Sequence, residues 1–365
     1  MRPIVDTHLD LAWNALGWGR DLTLEVSEIN ARESQMTAKA RGCATTSLPE
    51  LRRAGVAVCL ATVLARSNPD LRPVEEPRRA SVDHPSPQIA HAVAQGQLAY
   101  YRLLEQEGEL AFLRTVEDLD AHWQRWGDDP AQSPIGVILA MEGADSIVRP
   151  EQAEAWFRDG LRSASLVHYG RNRYAVGTGQ SGPLTPDGIA LVREFERWGI
   201  LLDVTHLSEP SFFEALDCYG GPVMASHNNC RALVPGDRQF SDGQIRRLIE
   251  RGGVIGVALD AWMLYPGWEV GRTSRKVVGL QAVVDHVDHI CQLAGNCRHV
   301  GIGSDLDGGY GTEQTPTGLD TIADLQKLAA MLTARGYGQD DVDAVFHGNW
   351  MAFFRHGLPR RGRGE

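Results

Sequence analysis

Several things are missing from this chain, and each absence narrows what it does. The six cysteines (Cys43, Cys59, Cys218, Cys230, Cys291 and Cys297) include no CxxC pair and no dense spacing. A disulfide framework and a thiolate metal site are therefore not expected. No apolar run approaches the roughly 20 residues of a membrane helix, and MRPIVDTHLD runs straight into strand-like sequence. A soluble protein without a leader is expected, located in the cytoplasm. There is no basic surplus either: 36 Lys and Arg stand against 47 Asp and Glu, a formal charge of −11, which argues against nucleic acid as a partner. Internal repeats and low-complexity tracts are absent as well.

What is present is a long soluble chain of 365 residues, 43% apolar and 23% charged. Eight short apolar runs read as strands: 4–8, 56–64, 135–141, 163–169, 200–206, 222–227, 254–259 and 299–305. Most are continuous rather than alternating, as in strands covered on both faces. Helical spacing fills the gaps at 88–107, 186–198, 241–251, 281–294 and 320–335. Strands alternating with helices predict parallel βα units, and eight such units predict a (β/α)8 TIM-type barrel formed by a single domain. Residues 66–87, rich in Pro and charge, and 260–276, mixing aromatics with basic residues, are expected as long loops over the mouth. The last ten residues, 356–365, are expected to fray.

Polar residues stand at the ends of these runs. His8 and Asp10 lie in DTHLD, Glu142 in AMEG, His206 in DVTHLS and His227 in ASHNN. A barrel gathers its strand ends into one mouth, so residues far apart in sequence meet there. Three imidazoles and two carboxylates form a nitrogen and oxygen donor set suited to Zn²⁺ and compatible with Mn²⁺ or Co²⁺. Glu142, with two oxygens, is able to bridge a metal pair. Asp6 shares a strand face with His8 and is read as a supporting residue rather than a ligand. His168, ending the fourth run, is either an oxyanion donor or a sixth ligand. Asp305, ending the eighth, is the natural proton carrier, with Asp307 as competitor. Arg231 and Arg238 in HNNCRALVPGDRQFSD are candidates to clasp a carboxylate. Asp203, Thr205, Ser208, Ser226 and Asn228 are candidate partners for the ligating rings. His286 and His289, three apart on a helix of the outer ring, are read as structural.

DTHLD, AMEG, LVHYG, LLDVTHLS, ASHNNCRALVPGDRQFSD, GGVIGV, VGIGSDLDGG and GNWMAFF together resemble the renal (membrane) dipeptidase family of zinc peptidases, over nearly the whole chain. The resemblance implies a barrel with two Zn²⁺, His8 and Asp10 on the first ion, His206 and His227 on the second, and Glu142 bridging. It further implies that a metal-bridging hydroxide attacks a dipeptide, with Asp305 as acid/base. His168 would contact the scissile carbonyl and Arg238 the C-terminal carboxylate, with D-residues tolerated there. Arg171 and Arg173, in YGRNRYAVGTG after His168, are expected near the substrate site, where they would either favour acidic side chains or pair with Asp and Glu in neighbouring loops. An N-acyl amino-acid deacylase or lactonase on the same metals is the enzymatic alternative, and a non-catalytic small-molecule-binding barrel is the other. A homodimer is a common state for such barrels.

Overall fold

The computed structural model describes residues 1–71 and 82–362. Its organising elements are eight parallel strands: β1 (Ile4–Leu9), β2 (Val56–Val63), β3 (Ile135–Met141), β4 (Leu161–Ser165), β5 (Leu201–Asp203), β6 (Val223–Met224), β7 (Ile255–Val257) and β8 (Val300–Ile302). Every strand residue is buried, which explains runs of Val, Ile, Leu and Ala without alternation. The ladders run β7-β8-β1-β2-β3-β4-β5-β6. A parallel bridge between Ala225 and Ile255 then closes the ring.

That closing seam is tight enough to dictate glycine. The Ser226 carbonyl oxygen lies 2.0 Å from where a Cβ on Gly256 would stand and 1.8 Å from one on Gly303. Thr7 Oγ1 donates to the same carbonyl at 2.7 Å and to Ile302 O at 3.1 Å, stitching β1 into the seam. Any side chain at 256 or 303 would open the barrel directly beneath its mouth.

Strand pairing in the second half is shorter than the apolar runs suggest. The run 200–206 pairs only over Leu201–Asp203, 222–227 over Val223–Met224 and 299–305 over Val300–Ile302. The chain turns inward before each polar residue, and His206 (φ 69°) and Asp305 (φ 58°) adopt left-handed backbone that no ladder accommodates.

Helices cover the outside. Pro87–Gln106 starts on a Ser86 cap, Pro186–Trp198 on a Thr185 cap, and Asp242–Glu250 on a capping box of Ser241 and Gln244. The stretch 320–335 divides into a 3₁₀ turn, Ile322–Gln326, and a helix, Lys327–Arg335. Further helices, not anticipated from spacing, are Leu11–Trp18, Leu48–Ala54, Val116–Asp128 and Glu209–Cys218. Toward the end of the described residues, Asn349–Gly357 is helical and Arg361 pairs with Asp118. Residues 72–81 of the 66–87 loop lie outside the described residues, while Arg66–Ser67 pairs with Asp83–His84 at its base. No helix among the described residues is long and apolar enough to cross a membrane.

Candidate metal centre and active site

The C-terminal ends of the strands open into a cavity of about 280 Å³ whose walls include Asp10, Glu142, His168, His206, His227, Arg238 and Asp305. Its centre is one carboxylate oxygen. Glu142 Oε1 lies 3.6 Å from His8 Nε2, 3.6 Å from His168 Nε2, 3.1 Å from His206 Nε2 and 3.3 Å from His227 Nε2. His206 Nε2 and His227 Nε2 are only 3.2 Å apart, and His8 Nε2 is buried without a hydrogen-bond partner. Asp10 Oδ2 and Asp305 Oδ1 stand 3.7 and 3.8 Å from His8 Nε2. Converging imidazole nitrogens with an orphan among them are costly unless a cation draws their lone pairs inward. With oxygen donors on the same centre, this set fits divalent ions of the zinc and manganese type. Among the described residues, those compatible with such ions fall into three groups: His8, Glu142 and His227; Glu142, His168 and His206; and His8, Asp10 and Asp305.

The backbone explains this convergence. His8 is inside β1 and shares its face with Asp6, whose carboxylate accepts from Ser304 N at 2.8 Å and His8 N at 3.3 Å, tying β1 to β8. Glu142 follows β3 by one residue, and His168, His206, His227 and Asp305 each follow their strand by three. Ring orientation is set from behind. Ser226 Oγ sits 2.9 Å from His227 Nδ1, and Thr178 Oγ1 sits 3.1 Å from His206 Nδ1. Thr62 Oγ1 donates to the Asp10 carboxylate.

Other expected partners act elsewhere. Asp203 accepts from the backbone N–H of Thr205 and Ser226, Thr205 Oγ1 lies 3.3 Å from Ser226 Oγ, and Ser208 caps the helix Glu209–Cys218. Asn228 accepts from Arg238 NH1 at 2.7 Å while Arg238 NH2 donates to His227 O at 2.8 Å, so this arginine is held at the cavity wall. Arg231 is turned away, paired with Glu209 at 2.7 Å.

Burial dominates the electrostatics. It pushes Asp305 up to about 7, helped by Asp10 and Asp260 and opposed by His8 and Arg238. It holds His168, His206 and His227 well below the usual imidazole range, with Arg238 adding to the effect. At His8 burial works in the same direction, but Glu142, Asp10 and Asp305 outweigh it and raise the ring to about 10.

Asp307 does not compete with Asp305, because both its oxygens accept from the N–H and hydroxyl groups of Thr45 and Thr46 and it does not line the cavity. Arg171 and Arg173 do not line it either: both are exposed, and Arg173 is spent on Asp187 at 2.7 Å and Val148 O at 2.8 Å. Of the aromatics in 260–276 only Trp262 reaches the cavity, while Tyr265 and Trp268 pack on the core. Missed beforehand were Trp13, Tyr169 and Asp260 in the wall, and Arg66 and Thr178 behind the histidines. Asp260 and Tyr169 stand at the ends of the apolar runs 254–259 and 163–169, and Thr178 is flanked by glycines. A Cβ on Gly177 would stand 2.2 Å from His168 O, so the loop must press against that strand end. His286 accepts from Cys230 N at 3.1 Å and His289 pairs with Asp242 at 2.8 Å, both on the outer helix Gln281–Ala294. All six cysteines are free.

A parallel barrel with a histidine and carboxylate cluster at its mouth defines a metallohydrolase scaffold, and comparison with known proteins makes this specific. A structure of a metallo peptidase from Rhodobacter sphaeroides, liganded with a phosphinate mimic of L-Ala-D-Ala, superimposes with a TM-score of 0.77 at 25% identity, covering 98% of this chain and 99% of that one. Among curated sequences, Dipeptidase verJ of Clonostachys rogersoniana is 32% identical over 57% of this chain and 52% of its own length. An uncharacterized protein from the pqqA 5' region of Klebsiella pneumoniae is 28% identical over 68% of this chain and 89% of its own. The chain thus spans about half the length of the fungal dipeptidases it matches. The membrane dipeptidase profile, peptidase family M19, matches residues 1–357, and the chain belongs to that family.

Proposed function

We propose that this chain is a binuclear zinc dipeptidase that hydrolyses dipeptides with a free C-terminal carboxylate and accepts D-residues at that position. The observation that carries the reading is the single Glu142 oxygen within 3.6 Å of four imidazole nitrogens. His8 and Asp10 would hold one ion, His206 and His227 the other, and Glu142 both. When bound, the ions supply Lewis acidity and a nucleophile from water at neutral pH.

The remaining steps belong to the protein. Arg238, immobilised by Asn228 and the His227 carbonyl, pairs with the substrate carboxylate and fixes the register of the scissile bond. His168 donates to the carbonyl oxygen as negative charge builds on it. Asp305, within reach of His8 and raised toward neutrality, takes the proton of the attacking water and returns it to the leaving nitrogen. The bound phosphinate mimic in the Rhodobacter relative supports the substrate class, including a D-residue in the second position.

The test uses protein stripped of metal and reloaded with Zn²⁺, offered L-L and L-D dipeptides and the matching N-acetyl amino acids. Chelator-sensitive cleavage of the dipeptides alone is expected. Preference for N-acetyl substrates would replace the reading with a deacylase, and failure on every compound with metal bound would leave a binding protein.

A further inference from the structure

His168 differs from the other mouth histidines in what stands behind it. Its Nδ1 faces a guanidinium: Arg66 NH1 lies 3.3 Å away. A guanidinium has five N–H donors and no acceptor. The nitrogen it faces must present a lone pair, so the ring proton resides on Nε2. At His206 and His227 the corresponding Nδ1 meets a hydroxyl, Thr178 Oγ1 or Ser226 Oγ, which is able to accept. A proton on Nδ1 of those rings is compatible with such a partner and would leave an Nε2 lone pair facing inward, as a metal ligand must. A ring with hydrogen on Nε2 has no lone pair to offer there. It has only a hydrogen bond to give.

We infer that Arg66 is a positioning residue that locks His168 in its Nε2–H tautomer, making it the donor to the carbonyl oxygen and barring it from service as a metal ligand. The inference rests on the dipeptidase reading only for the identity of that carbonyl.

Arg66 is well placed for the task because it is itself clamped. Its Nε and NH2 donate to Asp83 at 2.7 and 2.6 Å, and it does not line the cavity. The neighbouring Ser67 N–H donates to Asp145 Oδ1 at 3.0 Å, and Asp145 Oδ2 accepts from Asn172 Nδ2 at 2.8 Å. Asn172 also donates to Leu166 O at 2.9 Å, two residues before His168. Buried Asp145 thus joins the segment that carries Arg66 to the segment that carries His168, and their separation is fixed by three polypeptide segments rather than by one flexible side chain.

The experiment compares metal-loaded wild type with Arg66→Met and Arg66→Lys. Two-bond ¹H–¹⁵N spectra of histidine-labelled protein report which nitrogen of each ring is protonated, and His168→Gln assigns the signal. Wild type is expected to show protonated Nε2 and bare Nδ1 at His168. Arg66→Met is expected to lose that pattern, with kcat falling about tenfold to a hundredfold, KM little changed and metal content unchanged. Arg66→Lys, still a pure donor, recovers part of the loss. If Arg66→Met does not fold, Asp83→Asn frees the guanidinium from its anchor and the same spectrum is read. Protonated Nδ1 in wild type, or an unaltered His168 pattern in the variants, overturns the inference. If no form cleaves any dipeptide, the functional reading fails while the spectrum still decides the tautomer.

Discussion

The two ends of the barrel are built from the same eight strands to opposite specifications. The N-terminal end is an apolar plug: Val5, Val58, Leu60, Ile138, Leu201 and Met224 pack with Trp350 from the C-terminal helix, whose indole N–H donates to Ile302 O at 3.1 Å. The C-terminal end buries histidines and carboxylates around one oxygen and holds His206, Asp305 and Asp307 in left-handed backbone. Such conformations each cost about 1–3 kcal/mol and persist only where the surroundings over-determine them. Asp307 shows how: the N–H and hydroxyl groups of Thr45 and Thr46 all donate to its carboxylate, Arg20 NH1 stands 3.5 Å away, and Asn14 Nδ2 ties its carbonyl and that of Asp10 together. Local rules are kept at one end and broken at the other, and the breaks mark the chemistry. Cavity size does not. A larger crevice, about 520 Å³, lies beside the plug end, where Arg251 spends its donors on the carbonyls of Leu216, Tyr219 and Gly221.

The contrast breaks if changes at the mouth cost stability rather than turnover. The largest effect is expected from Asp305→Asn, which retains metal by elemental analysis and loses about 10²–10⁴-fold in kcat. Undiminished turnover would remove Asp305 from proton transfer. At the other end, Trp350→Ala is expected to lower unfolding free energy by about 3–5 kcal/mol in urea titration while the folded enzyme turns over normally. A fall in kcat at full folding would show the plug steering the mouth.

His286, away from both ends, sharpens the point through pH. Burial lowers its pKa to about 4 while the unfolded ring stays near 6.5, so the unfolded state binds the extra proton between those values. Stability attributable to this residue is therefore complete above about pH 6.5 and drains away toward pH 4. Wild type should lose roughly 2 kcal/mol more than His286→Gln between pH 7 and pH 5. Equal losses would show that the ring is protonated in the native state. The smallest effect is expected from Arg173→Ala, which breaks an exposed pair with Asp187 and should leave kcat/KM for acidic C-terminal residues within about twofold of wild type. A selective loss for acidic substrates would return Arg173 to the site.

Much of this was legible before any coordinates. β1, β2 and β3 coincide closely with their apolar runs, because strands buried on both faces must be apolar throughout. The weaker readings fall where tertiary demand overrides pattern. The runs around 200–206 and 299–305 read as strand through His206 and Asp305, yet the backbone leaves the ladder to turn those side chains inward. Arg171 and Arg173 looked suited to a substrate carboxylate because they follow His168 so closely. The other reading open for them, pairing with an acidic residue of a neighbouring loop, is what Asp187 provides for Arg173.

The order of apolar runs and the polar residue ending each were enough to determine a barrel and the donor set at its mouth, since a parallel barrel brings strand ends together whatever their separation in sequence. The three-dimensional structure decided the direction of each hydrogen bond. Whether a histidine meets a hydroxyl or a guanidinium depends on loops that approach from other strands, Thr178 for His206 and Arg66 for His168, and no spacing in the chain records which partner stands behind which ring.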